Sequence, residues 1–350
     1  MRWSILSRCL GVASGLVDDD PLVPSLVAGQ SLQLFLLRRL RRAAKSELLS
    51  NQGKESIVTV TLFPRKDFGG SAFVVDENHS VMSNTPIGHG ATSMRLSAAS
   101  DAALLCRREG WQGQSLFKRG PADLPHLGRP AQGGKTGLGN DVRSVRITPF
   151  GLRVHFHVVT TTGGDFPGNL ASEADATSFV QDVVAVAAAL WAPFLIRLDF
   201  NGVSFAADND LFNVRGEFIK LARADEVFDF RQGMANPVLV DRVGILKGVA
   251  GKSLPACLTT QMAIEHQLSG TFPDGTFING KDLAGYVLAH ELGHFLGLVH
   301  RHTGNNLMRP KPVNTTNLLS QNELHDSQVE GAHAALGRAD GAPDQLRVFF

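Results

Sequence analysis

Three cysteines and a single tyrosine in 350 residues are what this chain is shortest of. Cys9, Cys106 and Cys257 have neither the paired spacing of a cysteine zinc site nor the density of a disulfide framework, so both classes are excluded. If Cys9 were removed with a leader, one Cys106–Cys257 bridge could form; two isolated buried thiols are the simpler reading. An excess of charge of one sign is missing too. Thirty-four Lys and Arg stand against 33 Asp and Glu, for a formal net charge of +1, which gives no electrostatic footprint for nucleic acid or an acidic partner. No apolar run approaches the roughly 20 residues that a membrane-spanning helix needs. The start of the chain has Arg2, a short apolar stretch and small residues at Ala13 and Gly15, the outline of a secretory leader, but Arg8 interrupts the stretch and rules out a lipobox at Cys9.

Apolar residues are not scarce: 43% of the chain is hydrophobic and 19% charged, ordinary for a globular protein and enough for a sizeable core. The two halves read differently. Leu32–Lys45 runs from apolar residues into Arg38, Arg39, Arg41, Arg42 and Lys45, which predicts a solvated helix with cations at its C-terminal end; a basic amphipathic helix meeting a membrane surface is the alternative. Ile57–Phe63 and Ser71–Val75 read as short strands. Residues 120–140 are rich in Gly and Pro, a linker composition, which sets the expected division at 1–140, an N-terminal region of uncertain fold (propeptide or accessory domain), and 141–350.

The second half alternates strand and helix patterns. Leu152–Thr160 has apolar residues at period two; Ser172 caps a helix reaching about Leu190; Phe194–Phe200, Pro237–Val243 and Cys257–Ile264 read as further strands. Pro273-Asp274-Gly275 is a turn signal, Asp282 opens a strongly apolar helix, and Ser320-Gln321-Asn322-Glu323 is a capping box for a last helix reaching about Leu336. The fold class expected is α+β.

That apolar helix carries Ala289-His290-Glu291-Leu292-Gly293-His294-Phe295-Leu296-Gly297-Leu298-Val299-His300. On a helix, His290 and His294 project from one face one turn apart, suited to two ligands about 2.0–2.1 Å from one Zn²⁺. Were the helix to continue, His300 would be rotated by about 240° and carried about 9 Å along the axis, away from the metal. The chain must therefore break and return, and Gly297 is the position where a left-handed residue costs least. Three imidazoles leave one zinc position open, which marks a catalytic site. Glu291 could take a proton from water there and pass it to a leaving amine. By this chain's composition the five fixed residues would arise by chance roughly four times in a hundred thousand.

The stretch resembles the metzincin signature, His-Glu-x-x-His-x-x-Gly-x-x-His followed by a methionine turn, here Met308 in Asn305-Asn306-Leu307-Met308-Arg309-Pro310. The match covers residues 281–312 and is closest to the reprolysin-like and matrixin-like group. It implies a zinc metalloendopeptidase with a mixed twisted sheet, an active-site helix and a C-terminal helix, with one catalytic Zn²⁺ on His290, His294 and His300, Glu291 as general base, and Met308 as an apolar floor. It implies a peptide or protein substrate and favours a secreted or cell-surface location; oligomeric state is not legible. The departures are specific. The methionine turn lacks the tyrosine of astacin-like members, because Tyr286 precedes His290, and Cys106 lies in Leu-Leu-Cys-Arg-Arg-Glu, which does not match the matrixin switch thiol. Asp208, Asn209 and Asp210 could help bind calcium, a polar turn being the simpler reading. His155, His157 and His302 read as structural or solvated. The alternative function is an inactive zinc-containing protein-binding module; an intact Glu291 argues against it, since a ligand scaffold needs no base.

Overall fold

β4 (Ala102–Cys106) is buried along its whole length, and its alternation shows how the molecule is organised. Ala102, Leu104 and Cys106 face one core while Ala103 and Leu105 face another, as successive strand residues must. This strand and its neighbours are seen in a computed structural model that describes residues 60–99, 101–127, 138, 141–214, 224–231, 233–242, 251–253, 261–265, 270–271, 277–278, 280–302, 304–309 and 323–341. The helix expected over 32–45, Cys9, Cys257 and the turn at 273–275 lie outside the described residues. All described residues belong to one unit, Ser56–Phe350.

Seven short strands lie in the described part of residues 60–146: β1 (Val60–Phe63), β2 (Phe73–Val75), β3 (Ser93–Leu96), β4, β5 (Ser115–Arg119), β6 (Ala122–Leu124) and β7 (Ser144–Arg146). They make two antiparallel sheets, ordered β2-β1-β3-β6 and β5-β4-β7. Val60, Leu62, Met94, Leu96, Ala103, Leu105 and Val145 fill the space between them. The Gly- and Pro-rich stretch expected to end a domain at 140 thus falls within this module: β7 follows it and returns to pair with β4, Leu104 opposite Arg146. Composition does not mark the boundary; pairing decides where the module ends.

The second part is a five-stranded sheet in the order β11-β12-β10-β8-β9, formed by β8 (Phe150–Thr160), β9 (Ile196–Ala207), β10 (Asn236–Val240), β11 (Gly251–Ser253) and β12 (Gln261–Glu265). β9, β8, β10 and β12 run parallel, and β11 is antiparallel at the edge. β13 (Gly270–Thr271) and β14 (Phe277–Ile278) form a small hairpin before the signature helix. Phe150, Leu152, Val154, Phe156 and Val158 send one face of β8 into the main core, against α1 (Glu173–Trp191) and α2 (Gly280–Phe295). The other face carries His155 and His157. His155 donates from Nδ1 to the Asn201 carbonyl at 3.2 Å and accepts the Ser204 hydroxyl at Nε2 at 2.8 Å; His157 Nε2 meets the Asn236 side-chain Oδ1 at 3.2 Å. Burial pushes the His157 imidazole down to about 4, so it stays neutral, a structural histidine as expected.

Local signals place most of these elements. Ser172 caps α1 by accepting from the Asp175 amide, with Glu173 and Asp175 in its first turn. Residues 173–194 are long and apolar enough to cross a membrane, with a hydropathy of 1.3; their apolar side lies in the core between the sheet and α2. Trp191 is fully buried and donates from Nε1 to the Ala289 carbonyl at 3.1 Å, tying α1 to the signature helix. Two expectations need correction. β11 lies between the expected strands Pro237–Val243 and Cys257–Ile264, where the sequence pattern predicts a Gly-containing loop. The last helix, α3 (Asp326–Gly341), begins after the expected capping box, because Glu323 is held extended: its carbonyl accepts from Leu307 and its amide donates to Asn305. Asp208 caps a one-turn helix through the Asp210 and Leu211 amides, the polar-turn reading. Cys106 is a free thiol inside the core, and burial pushes it up to about 12.

α1 and α2 approach closely at Gly285, where a Cβ would sit 2.4 Å from Val186 Cβ. Gly285→Ala should therefore destabilise the protein by about 1–3 kcal/mol in chemical denaturation, although alanine is the better helix former. A gain in stability would show that α1 and α2 do not pack this closely.

Candidate metal centre

α2 ends at Phe295, and the way it ends builds the site. Gly297 has φ +81°; its amide donates to the His294 carbonyl at 2.9 Å, and the Leu298 amide donates to the Gly293 carbonyl at 2.8 Å. This bond pair is the Schellman motif, which closes a helix through one left-handed residue. It reverses the chain within a turn and returns His300 to His290 and His294. The three side chains come together, with one ligand atom from each lying within 4.8 Å of the others.

Hydrogen bonds fix which nitrogens converge. His290 Nδ1 meets the Leu307 carbonyl and His294 Nδ1 the Leu298 carbonyl, both at 2.8 Å. A carbonyl only accepts, so both Nδ1 atoms carry protons, and the Nε2 lone pairs point the other way. His300 Nε2 stands 3.2 Å from His290 Nε2 and 3.0 Å from His294 Nε2. Ligands at 2.0–2.1 Å on a tetrahedral ion would be about 3.3–3.4 Å apart, so the spacing is close to what one ion requires. A proton on His300 could satisfy only one of the two contacts; a cation between the rings satisfies all three lone pairs. Burial, reinforced by His294, pushes the His290 imidazole down to about 3, against the opposing pull of the Leu307 carbonyl. The ring is thus neutral and able to donate its lone pair. His300 is exposed and the other two are half-buried, which leaves the centre open on one side. Imidazoles alone suit Zn, Cu, Fe and Ni, so the donor set fits a divalent transition metal.

Glu291 follows His290 on α2 and is 6% exposed. Met308 is fully buried beneath the helix. A Cβ at Gly293 would lie 2.2 Å from Met308 Sδ, so the glycine provides the space that the thioether fills. The Met308 amide donates to Asn306 Oδ1 at 2.9 Å, and Asn306 Nδ2 donates to Gln328 Oε1 on α3 at 2.7 Å. The structure thus brings His290, His294 and His300 together, with Gly297 at the turn that returns His300; Glu291 is buried on the same helix, Met308 is buried against Gly293, and His302, read as solvated, is exposed. Sequence reasoning missed Gly293, Asn306 and Gln328. A glycine inside an amphipathic helix was a usable signal, since it costs about 1 kcal/mol against alanine and asks for a packing reason.

No family model and no curated protein matches the chain. Solved structures that do match include a βγ-crystallin from Ciona intestinalis, 21% identical over 26% of this chain and 99% of that one, with a TM-score of 0.22. A βγ-crystallin from an archaeon is 15% identical over the same shares, with a TM-score of 0.22. The N-terminal domain of protein S is 20% identical over 25% of this chain and 93% of that one, with a TM-score of 0.21. Likenesses of that size define neither a family nor an activity for this chain.

The packing around Met308 gives an ordered expectation. Met308→Leu nearly conserves volume and should cost under about 1.5 kcal/mol. Met308→Ala leaves a cavity beneath Gly293 and should cost roughly 2–5 kcal/mol. Neither removes a ligand, so both should retain bound metal; equal costs in urea denaturation would show that Met308 is not the floor.

Proposed function

We propose that the chain is a zinc-dependent endopeptidase of the metzincin kind. The observation that carries the reading is the convergence of three imidazoles, two of them with Nε2 free of a proton, at the end of a helix that also carries the buried Glu291, in a centre open to solvent. His290, His294 and His300 would hold the ion, and the open side would admit a substrate carbonyl and a water. Zinc, when bound, supplies a Lewis acid that polarises the carbonyl and makes that water more acidic. The residues of the chain do the rest. Glu291 accepts the proton of the attacking water and returns it to the leaving amine. The Leu307 and Leu298 carbonyls hold the rings of His290 and His294 in the tautomer that donates from Nε2. Met308 keeps water from beneath the imidazoles.

Two further features support a peptide substrate. The mixed sheet, the signature helix and the last helix are the parts the resemblance calls for. β11 is an edge strand packed near α2, and no described strand pairs with its outer side. An extended peptide can add to such an edge through main-chain hydrogen bonds and so lie along the centre.

Glu291→Gln should keep zinc in full and lose hydrolysis of a peptide library by 10²-fold or more, since only proton transfer is removed. His300→Ala should instead lose zinc. Turnover at the parent rate in Glu291→Gln would sink the mechanism, and parent-like zinc content in His300→Ala would sink the ligand set.

A further inference from the structure

Helix α3 is gripped on two sides. On one, the Phe117 amide of β5 donates to Glu330 Oε1 at 3.1 Å, Lys118 pairs with Asp326, and the Phe117 ring stacks on His333 with centroids 6.2 Å apart. His333 is itself fixed by donating from Nε2 to the Phe194 carbonyl at 2.7 Å. On the other side, Gln328 bonds Asn306, and Asn306 bonds the Met308 amide; the residue between these two, Leu307, gives its carbonyl to His290. Gln328 and Glu330 are two residues apart, about 200° around a helix, so they face opposite ways. The helix is therefore a wedge between the β module and the turn beneath the metal centre.

We infer that the β module of residues 60–146 positions the metal centre through α3, with Glu330 and Gln328 as positioning residues on opposite faces of the helix. This rests on the metal reading proposed above. Two facts make the linkage stiff. Asn306 and Gln328 are 3% and 5% exposed, so water cannot replace their bonds, and a buried amide pair left unmade is costly. A 2.7 Å bond tolerates little stretching, so while it holds, a shift of α3 carries the turn of Asn306–Met308, and with it the Leu307 carbonyl, along. The β5 side is anchored as firmly, because Phe117, Leu104 and Cys106 belong to the same core as Leu292 and Met308. The module is accordingly an internal support of the centre and not a segment to be shed.

Glu330 gives the linkage a titratable member. It is faced by Lys118 from β5, by Asp326 and His333 on its own helix, and by Cys106 and Arg146 across the same junction. Burial pushes its carboxyl up to about 7; Asp326 adds to this, while the Phe117 amide and Lys118 pull the other way. The folded chain thus keeps this proton to about pH 7, whereas an unfolded carboxyl loses it near its ordinary 4.5. The stabilisation is full below pH 4.5 and is lost as pH rises through about 7.

The test uses the full chain loaded with Co²⁺, whose visible spectrum reports ligand geometry without any need for turnover. Gln328→Ala should weaken Co²⁺ binding about tenfold, and Glu330→Ala about three- to tenfold, each with a shifted absorption band. Glu330→Gln keeps the acceptor for the Phe117 amide and should bind as the parent does. The double variant Gln328→Ala/Glu330→Ala should lose no more than Gln328→Ala alone, because one helix carries both effects. The advantage in urea midpoint of Glu330→Gln over the parent should also grow from pH 5 to pH 8. Parent-like Co²⁺ affinity in a folded Glu330→Ala that is merely less stable would overturn the coupling, as would losses that multiply in the double variant. A parent chain that binds no Co²⁺ would overturn the metal reading itself, and is told apart by failing before any variant is compared.

Discussion

His300 Nε2 stands 3.0–3.2 Å from two nitrogens whose lone pairs face it, more than one proton can satisfy, and the rest of the structure answers to the constraint of holding three imidazoles this close. The chain has to hold the rings in place. Two are held by carbonyls that fix the tautomer, at Leu307 and Leu298, and the third by a reversal that only one residue in the helix terminus can make cheaply. Each restraint sits on backbone already committed elsewhere. The Leu298 carbonyl belongs to the residue that closes the helix, and Leu307 is pinned by Glu323.

Outward from the centre the restraints become larger and less local. α2 is held by Trp191 at the Ala289 carbonyl, immediately before the first ligand, and by the close approach at Gly285. α1 is in turn packed on β8 and β9, and α2 lies beside it against β11 and β12, so the imidazoles stand on a helix that the sheet and α1 hold together. The turn carrying Met308 stands on α3, and α3 on the antiparallel module. The centre therefore joins two supports built from distant parts of the chain, and the shared core across Leu104, Phe117, Leu292 and Met308 makes them one body.

What the sequence reveals about this arrangement divides by range. The meeting of His290, His294 and His300 is legible because it follows from helix periodicity and one glycine, all within eleven residues. α1 is legible for the same reason, its cap and apolar stripe being local. β11 is not: Gly251-Lys252-Ser253 has no apolar alternation, and only its neighbour β12 makes it a strand. The capping box at Ser320–Glu323 is a real local signal that yields to a longer-range demand, the two backbone bonds that Glu323 makes to the chain around Met308. The same holds for the Gly-rich stretch near 130, whose composition says linker while β7 crosses back to β4. The bond between Asn306 and Gln328 joins residues 22 apart and leaves no trace in either neighbourhood.

The fit of Met308 beneath Gly293 has a consequence for how such a chain can vary. With a Cβ at 293 falling 2.2 Å from the thioether sulfur, the two positions share one fixed volume, and neither can grow unless the other shrinks. A larger residue at 293 would have to be matched by a shorter one at 308. Because the Gly293 carbonyl also takes the Leu298 amide that closes the helix, the pair would have to change together or the turn that returns His300 would be disturbed with it.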